Sequence, residues 1–567
     1  MKDRTTSMRG PRVLSVMVAI MFAASAVAVV FTANADEDGK TLGEGGDLLN
    51  KINFGGNGYD IFNDIIKVPG GFVAVGYSNG SSFKTGDWAA AGNLEEVEGY
   101  GSNDAIMVKF TDNWSIAWRV NFGGAADDAF NAVTMVENAP VAGTNAVNDG
   151  YLLVAVGHSD FYSFGNGSWD FPDRDVAGYG GRDAIIVAYD ENGTLVNALN
   201  FGGAGDDAFL GVTASKEGNI CAVGYSSEGS FGTGIWQLHQ INNGYGGKDA
   251  IMAVYTDGAL AYARHFGGAE DDEFNDVAAF VDDDGKEFFF AVGYSSAGSF
   301  GSGSWKTAVG YGNTDAIIVG YHDNGSVYAA LNFGGSGNDK FYGVGVGADG
   351  DVFAVGYSDS LSFGNGSWTN EDWGVEQGYG STDAIIVGFR GKPDGGAEVI
   401  GAMNFGGAGG DFFNGVAVSP EGSIVAVGHS SAGSFGNGDW ADVETGNGGA
   451  EGIAVGYSEG QFVGAMNFGG SGNDQFYGAA LLPNGTVLVA GYSDGSSFGN
   501  GDWDGVTKKG DPDAIVVMFD TGMETSGTGG DGGNDGGNDF PVTYVAIAAV
   551  GIVALLGIAY VFVLKKP

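Results

Sequence analysis

The sequence predicts an all-β fold, a seven-bladed β-propeller with four antiparallel strands in each blade. Glycine accounts for 107 of 567 residues, about 19% against a usual share of about 7%, and aromatic residues are also abundant at 13%. The motif Asn-Phe-Gly-Gly begins at residues 53, 121, 200, 332, 404 and 467, with His-Phe-Gly-Gly at 265. Seven long repeats, each with four apolar runs separated by glycine turns, are typical of a propeller.

The fifth repeat shows the four predicted strands most clearly. They are the apolar or alternating runs Phe341–Val346, Val352–Ser358, Asp383–Phe389 and Glu398–Asn404. Glycine turns join the first strand to the second and the third to the fourth, as in hairpins, and a long loop joins the second to the third. The first strand is rich in small residues, which suits the crowded centre of a propeller.

The two ends of the repeat region predict that the ring closes. The segment Leu48–Asn53 resembles a fourth strand with no first three strands before it, and Asp513–Phe519 resembles a third strand with no fourth after it. The N-terminal strand can therefore complete the last blade and remove an exposed strand edge. Residues 48–520 are predicted to form this single propeller domain.

The chain termini predict export and membrane anchoring. Residues 1–35 have basic residues, an apolar run and an Ala-Asn-Ala cleavage site, as in a signal peptide, although the run could also remain as a signal anchor. A linker at 36–47 leads into the propeller, and a Gly/Asp/Asn-rich linker at 521–541 follows it. The uncharged run 542–564 predicts one transmembrane helix, and the lysines in the tail 565–567 place the C-terminus in the cytoplasm.

Charge and cysteine content exclude several kinds of partner and site. Lysine and arginine number 24 against 70 aspartates and glutamates, a net charge of −46, which repels nucleic acid and anionic lipid. A single cysteine excludes a disulfide framework, and five histidines leave little for a metal site. The sequence indicates no cofactor. Seven Asn-x-Ser/Thr sequons fit an exported surface.

The repeat motifs resemble a known family. The segments Asn-Phe-Gly-Gly-(x)3-Asp-x-Phe, Ala-Val-Gly-Tyr-Ser and Gly-Tyr-Gly-x-x-Asp-Ala-Ile-Ile-Val are similar to the SBBP-type β-propeller repeats of secreted prokaryotic surface proteins. The resemblance covers about 470 residues and implies a propeller on a cell surface, without implying an activity. The WD40 pattern and the tryptophan-docking signature of quinoprotein dehydrogenases are absent, which argues against a quinone cofactor.

One aspartate recurs at the same position of every repeat, seven residues after the motif asparagine or His265. The structural interpretation is that it caps a tight glycine turn by accepting hydrogen bonds from nearby N–H groups. The alternative is a Ca²⁺ site, because carboxylates and carbonyls are the ligands of this cation, but no DxDxDG loop supports it. The seven residues are Asp60, Asp128, Asp207, Asp272, Asp339, Asp411 and Asp474.

A tryptophan recurs in every loop between the second and third strands, within the pattern Ser-Phe-x-x-Gly-x-Trp. One interpretation is packing, in which the ring fixes the loop to its blade and its N–H finds a partner. The other is ligand binding, in which the rings form a glycan-stacking face beside the aspartates. The seven residues are Trp88, Trp169, Trp236, Trp305, Trp368, Trp440 and Trp503.

Departures from the repeat are where a single specific site would lie. Histidines replace repeat residues at His265, His158 and His429, and Cys221 replaces an aliphatic residue. Longer loops occur at 89–98, 137–149 and 369–377. No Gly-x-Ser-x-Gly nucleophile elbow or His-Glu-x-x-His motif stands out.

The sequence therefore favours a non-catalytic binding or adhesion module. Its predicted partners are glycans or envelope proteins, contacted through one loop face outside a cell membrane. The first alternative is a purely structural envelope component, and the second is an extracellular glycan hydrolase or lyase that uses carboxylates of the same face.

Overall fold

The computed structural model describes residues 47–521, except 138–149, 173, 371–372, 374, 376, 393–395, 444 and 459. The predicted signal peptide, the C-terminal linker beyond residue 521, the transmembrane helix at 542–564 and the tail lie outside these residues, as does nearly all of the linker at 36–47. Within the described part of the chain, no helix is long and apolar enough to cross a membrane.

Seven four-stranded antiparallel sheets form the blades of a propeller. The innermost strands of blades 1 to 7 each begin at an aspartate, and they are β2 (Asp60–Val68), β6 (Asp128–Glu137), β12 (Asp207–Ala214), β16 (Asp272–Val281), β20 (Asp339–Val346), β24 (Asp411–Val418) and β28 (Asp474–Leu481). The second strands, in the same order, are β3 (Gly71–Asn79), β7 (Tyr151–Asp160), β13 (Ile220–Ser227), β17 (Glu287–Ser296), β21 (Val352–Asp359), β25 (Ile424–Ser431) and β29 (Thr486–Ser493).

The outer half of each blade follows the same order. The third strands are β4 (Asn103–Thr111), β10 (Arg182–Asp190), β14 (Lys248–Thr256), β18 (Thr314–His322), β22 (Thr382–Gly391), β26 (Ala450–Ser458) and β30 (Asp513–Asp520). The fourth strands are β5 (Ile116–Phe122), β11 (Leu195–Phe201), β15 (Ala259–Phe266), β19 (Val327–Phe333), β23 (Ala397–Phe405), β27 (Gln461–Phe468) and, for blade 7, β1 (Leu48–Phe54).

Helical structure among the described residues is confined to short loop segments. The second-to-third strand loop of blade 3 contains a single helical turn, α1 (Gly234–Leu238). The second-to-third strand loops also contain 3-10 turns, at Gly86–Trp88, Phe161–Ser163, Gly167–Trp169, Glu228–Ser230, Ala297–Ser299, Gly303–Trp305, Gly366–Thr369, Gly438–Trp440 and Gly501–Trp503. A two-stranded ribbon, β8 (Asp170–Phe171) with β9 (Arg174–Asp175), lies in the loop of blade 2.

Blade 7 closes the ring as predicted. Strand β1, from the N-terminal end of the domain, pairs antiparallel with β30, so that Ile52 lies opposite Val516 and Phe54 lies opposite Ala514. This pairing covers the strand edge that β30 would otherwise expose. The prediction of an all-β, seven-bladed propeller with four strands in each blade is confirmed.

Each innermost strand has a β-bulge directly after its phenylalanine. A bulge leaves one residue unpaired and re-aims its side chain. Here the unpaired residues line the central channel, and they are Asn63, Asn131, Leu210, Asn275, Tyr342, Asn414 and Tyr477. The channel wall is crowded, because a Cβ added at Gly415 would lie 2.3 Å from the carbonyl oxygen of Tyr477.

The hydrophobic core lies between the blades. Seven clusters of buried side chains each join two adjacent blades, and each cluster contains one of the seven loop tryptophans. The second and third strands are buried on both faces, which explains their nearly continuous apolar runs. This arrangement leaves the loops at the two ends of the ring as the variable surfaces.

Candidate binding face

The blade-to-blade connections and the second-to-third strand loops lie at the same end of the ring. In blade 1 the Asp87 N–H donates to the Gly55 carbonyl at 2.8 Å, and the Gly55 N–H donates to Oδ2 of Asp87 at 3.0 Å. Nε1 of Trp88 lies 3.3 Å from Oδ1 of Asp60. We call this end the loop face.

The seven repeat aspartates are buried beneath the loop face. In blade 3, Oδ2 of Asp207 accepts hydrogen bonds from the Gly203 N–H at 2.9 Å and from the Ser230 hydroxyl at 2.8 Å. Burial raises the pKa of Asp207 to about 6, although these hydrogen bonds oppose the shift. The same two bonds recur at Asp60, Asp128, Asp272, Asp339, Asp411 and Asp474.

These aspartates have the geometry of turn residues. Oδ2 of each carboxylate faces an N–H and an O–H donor of the same loop region, as in a capped turn. Among the residues that the structure describes, no group of three or more histidine, cysteine, aspartate or glutamate side chains could hold a metal ion. The geometry therefore gives the Ca²⁺ interpretation no support.

The seven tryptophans lie inside the core, with at most 3% of each side chain exposed. In blade 6, Nε1 of Trp440 donates to the Ser430 hydroxyl at 3.0 Å, and the ring packs edge-on against Phe405. The predicted glycan-stacking role needs correction, because buried rings offer no face to a ligand. This applies equally to Trp88, Trp169, Trp236, Trp305, Trp368, Trp440 and Trp503.

A different aromatic set is exposed on the loop face. Each Gly-Tyr-Gly turn before a third strand carries a tyrosine whose exposed fraction lies between 39% and 46%. These tyrosines occupy equivalent positions of blades 1 to 5, and together we call them the tyrosine arc. Its members are Tyr100, Tyr179, Tyr245, Tyr311 and Tyr379.

The aspartate that begins each third strand fixes the position of the tyrosine. The Tyr100 N–H donates to Oδ2 of Asp104 at 2.8 Å, and the next N–H donates to Oδ1 of the same carboxylate at 3.1 Å. Equivalent tyrosine bonds of 2.8 to 2.9 Å occur in blades 2 to 5. The capped turn fixes the backbone from which each ring extends.

A glycine of the next blade provides the space for four of the five rings, those of Tyr100, Tyr245, Tyr311 and Tyr379. A Cβ added at Gly167 would lie 2.8 Å from Cγ of Tyr100, and one at Gly303 would lie 2.9 Å from Cγ of Tyr245. Each of these four rings therefore packs closely against the neighbouring loop and leaves its remaining surface to solvent. The glycine of every Gly-x-Trp has a positive φ and lies against a backbone carbonyl of the blade-to-blade connection, which explains why it recurs.

Blades 6 and 7 interrupt the arc. The corresponding residues are Asn447, whose Nδ2 donates to the Gly469 carbonyl at 3.3 Å, and Lys509, whose Nζ lies 2.6 Å from Oδ2 of Asp87. These polar side chains bind the next blade without adding aromatic surface. The exposed aromatic surface therefore spans five successive blades.

The central channel forms a cavity of about 630 Å³. Asparagine side chains in its wall connect adjacent blades, since Nδ2 of Asn63 donates to the Phe130 carbonyl at 2.8 Å. Bonds of the same kind are made by Asn131, Asn275 and Asn414. These amides serve the blade-to-blade junctions.

Two carboxyls and a histidine also line the channel. Asp64 and Asp276 each accept one N–H from their own strand and one from the next blade, at Val133 and Val344 respectively, both at 2.9 Å. Burial raises the pKa of both aspartates to about 7 and lowers the pKa of His429 to about 4. Every carboxylate oxygen of the two aspartates is thus engaged by a backbone donor.

The histidines that replace repeat residues are half-buried. His158 lies in blade 2 and His429 in blade 6, and burial lowers the pKa of His158 to about 3. Cys221 is fully buried, and burial raises the pKa of its thiol. Most of the extra loop at 137–149 lies outside the described residues.

Sequence reasoning selected the buried aromatic set and missed the exposed one. Both sets recur in loops of the same face, and composition does not distinguish a ring that packs beneath a loop from one that lies above it. The available signal was the flanking glycines of Gly-Tyr-Gly, which mark a tight turn with no room to bury its side chain.

No protein-family model and no curated protein sequence matches the chain. Among solved structures it is similar to a hypothetical selenium-binding protein from Sulfolobus tokodaii, with 10% identity, a TM-score of 0.30, and 62% of this chain and 67% of that chain covered. It is also similar to quinohemoprotein alcohol dehydrogenase from Comamonas testosteroni, with 10% identity, a TM-score of 0.35, and 91% of this chain and 82% of that chain covered. A third similar structure is the subtype N10 neuraminidase-like protein of A/little yellow-shouldered bat/Guatemala/060/2010, with 6% identity, a TM-score of 0.29, and 67% of this chain and 95% of that chain covered. Similarities this distant carry no argument about activity.

Proposed function

We propose that this chain is a non-catalytic binding propeller of a cell surface and that its loop face contacts glycans. The observation that carries the proposal is the tyrosine arc, five half-exposed rings at equivalent positions of successive blades. Aromatic rings have a negatively polarised face that attracts the C–H face of a sugar. Tyrosine also supplies a hydroxyl that can exchange hydrogen bonds with sugar hydroxyls.

Repetition suits a long or repetitive ligand. Five similar contacts on one rigid ring act together on a polymer, so that weak individual binding becomes strong overall. The capped turns reduce the cost of ordering, because the backbone that carries each ring is already fixed by its aspartate. A repetitive glycan is a better match for such a face than a single small molecule.

The predicted location is consistent with this function. The signal peptide at 1–35 and the transmembrane helix at 542–564 remain predictions, and they would hold the propeller outside the membrane by its C-terminal end. The resemblance to SBBP-type repeats supports the same location. A net charge of −46 disfavours nucleic acid and anionic lipid as alternative ligands.

The test is glycan-array binding by the full-length protein in a detergent without sugar groups. The variant carries Tyr100→Asn, Tyr245→Asn and Tyr311→Asn, because blade 6 already has asparagine at this position. A matched control replaces Val327, an exposed residue of an outer strand, with alanine. We expect the triple variant to lose at least tenfold in affinity and the control to bind normally.

Other outcomes separate the alternatives. Equal binding by the triple variant would remove the tyrosine arc from the proposal. Binding to an envelope protein extract, without any glycan signal, would keep a binding role and replace the ligand class. Binding to neither would favour a structural envelope component.

The central channel supports a second candidate, glycan hydrolysis. Asp64 and Asp276 have pKa values of about 7 in a cavity of about 630 Å³, and perturbed carboxyls in a cavity are candidates for acid–base catalysis. Their backbone hydrogen bonds favour a structural role instead. Incubation with bound glycans tests this candidate, since hydrolysis would release fragments that Asp276→Ala abolishes.

A further inference from the structure

Blade 2 carries two adjacent exposed aromatic residues that the other blades lack. Phe161 and Tyr162 follow β7, and their side chains are 48% and 76% exposed. The corresponding pairs in the other blades contain no aromatic residue: Gly80-Ser81, Glu228-Gly229, Ala297-Gly298, Ser360-Leu361, Ala432-Gly433 and Gly495-Ser496. Because those loops close without aromatic rings, the fold does not require Phe161 or Tyr162.

These two rings border an open cleft of about 610 Å³ on the loop face, which is also lined by Gly180, the residue that follows Tyr179 in the chain. Its other walls include Asp160, Arg182 and Asp206, so the cleft lies where blade 2 meets the connection to blade 3. The volume falls in the range of small-molecule sites, about 300–1,000 Å³. The cleft is therefore large enough for a small ligand, and it lies beside residues that depart from the repeat.

Arg182 organises the polar wall of the cleft. Its Nε donates to Oδ1 of Asp160 at 2.9 Å, and its backbone N–H donates to Oδ1 of Asp206 at 3.1 Å. For Oδ2 of either aspartate, the described residues supply no hydrogen-bond donor. The cleft thus presents carboxylate acceptors and guanidinium N–H donors in fixed positions next to two rings.

Arginine at this position is also specific to blade 2. The equivalent residues at the start of the other third strands are Asn103, Lys248, Thr314, Thr382, Ala450 and Pro512. Arg182 and the aromatic pair therefore depart from the repeat in the same blade and around the same cleft. Arg182 pairs with Asp160 of its own blade, but the six blades without this arginine fold in the same way, so the two coincident departures favour a ligand site over a requirement of the fold.

We propose that this cleft binds one neutral hexopyranose unit of a glycan. Phe161 and Tyr162 provide an apolar platform for the C–H face of the sugar, and Asp160, Asp206 and Arg182 bind its hydroxyls. An acidic sugar is disfavoured, because both carboxylates and the net charge of −46 repel it. The inference rests on the proposed glycan-binding function and adds the blade and the ligand class that give it specificity.

The experiment replaces Phe161 and Tyr162 with alanine and glycine, the pair that blades 4 and 6 already contain. The matched control is Leu361→Gly in blade 5, which removes a side chain of 66% exposure at the position equivalent to Tyr162. The probes are the methyl glycosides of glucose, galactose, mannose and N-acetylglucosamine, with methyl galacturonate as the acidic comparison. Saturation-transfer NMR on the full-length protein measures binding.

We expect at least one neutral glycoside to bind the native protein and to lose at least tenfold in affinity in the double variant. The Leu361→Gly control should bind the glycoside normally. Methyl galacturonate should bind the native protein more weakly than the neutral glycosides do. The melting temperature of the double variant should stay near the native value. Binding of no neutral glycoside, or equal binding by the double variant, would overturn the proposal. If array binding is lost only in the tyrosine-arc variant, the proposed function stands and this site is rejected.

Discussion

Nε2 of His265 lies 3.9 Å from Oδ2 of Asp249, too far for a hydrogen bond, and the described residues give this nitrogen no other partner. Elsewhere an asparagine at the same position donates to the equivalent aspartate at 2.6 to 2.8 Å, namely Asn53, Asn121, Asn200, Asn332 and Asn404. Burial lowers the pKa of His265 to about 4 and raises the pKa of Asp249 to about 7. Blade 3 therefore lacks one interstrand bond.

Restoring that bond should stabilise the protein. We expect His265→Asn to raise the free energy of unfolding by about 1 kcal/mol, the usual net value of one hydrogen bond. It should also lower the pKa of Asp249, because the new amide donor favours the charged carboxylate. Denaturant unfolding and carboxyl NMR measure the two effects. The reciprocal Asn332→His change should destabilise blade 4, and a gain in stability there would contradict this account.

Stability should fall as the pH rises from about 4 to about 7. Burial raises the pKa of five turn aspartates to about 6 from an ordinary 3.8, so the folded protein binds more protons than the unfolded chain in this interval. We expect a higher melting temperature at pH 5 than at pH 7.5. Calorimetry in high salt, which screens general charge repulsion, provides the measurement. A melting temperature that increases with pH would contradict the prediction.

A buried tryptophan should affect stability without affecting ligand binding. Trp440→Phe removes the N–H that bonds Ser430 and leaves that hydroxyl without its donor. We expect a loss of about 1–3 kcal/mol in the free energy of unfolding, with glycan-array binding unchanged while the protein stays folded. Reduced binding at unchanged stability would restore the tryptophan to the binding surface.

Removal of β1 should open the ring. Deletion of residues 48–54 would expose the edge of β30, and exposed edges promote association. We expect a lower melting temperature and concentration-dependent aggregation, measured by calorimetry and light scattering. A synthetic peptide of sequence LLNKINF should restore both properties by strand addition. An unchanged melting temperature after the deletion would mean that closure contributes little.

Chelation of metal ions should leave the fold intact. Oδ2 of each repeat aspartate is engaged by an N–H and a hydroxyl donor, and the described residues contain no side-chain group that could hold a metal ion. We therefore expect EDTA to leave the melting temperature unchanged. A bound ion would add stability that depends on its concentration. A clear fall in melting temperature with EDTA, reversed by added Ca²⁺, would assign a cation to the propeller.

The fold could be predicted from the sequence because the same pattern of four strands and their turns occurs seven times in the chain. Seven copies of one motif fix the strand order, and the incomplete segments at Leu48–Asn53 and Asp513–Phe519 already imply the pairing of β1 with β30. The structure extends the first of these by one residue, to Phe54. The strand pattern within each repeat and the closure of the propeller thus predict the same fold.

The binding face was harder to predict, because exposure depends on what lies above or below a loop. Trp440 and Tyr379 both belong to repeated loop motifs, yet one ring fills the core while the other lies on a glycine of the next blade. The channel position of Asp64 depends on a bulge that no sequence pattern marks. Phe161 and Tyr162 could have been found by aligning the repeats position by position.

The pairing of β1 with β30 also determines how the domain responds to force. Strand β30 is hydrogen-bonded to β29 on one side and to β1 on the other. Tension applied through the chain beyond Asp520 therefore shears two ladders together instead of peeling one edge strand. A propeller pulled by its C-terminal end would resist mechanical unfolding at the blade that joins both ends of the domain.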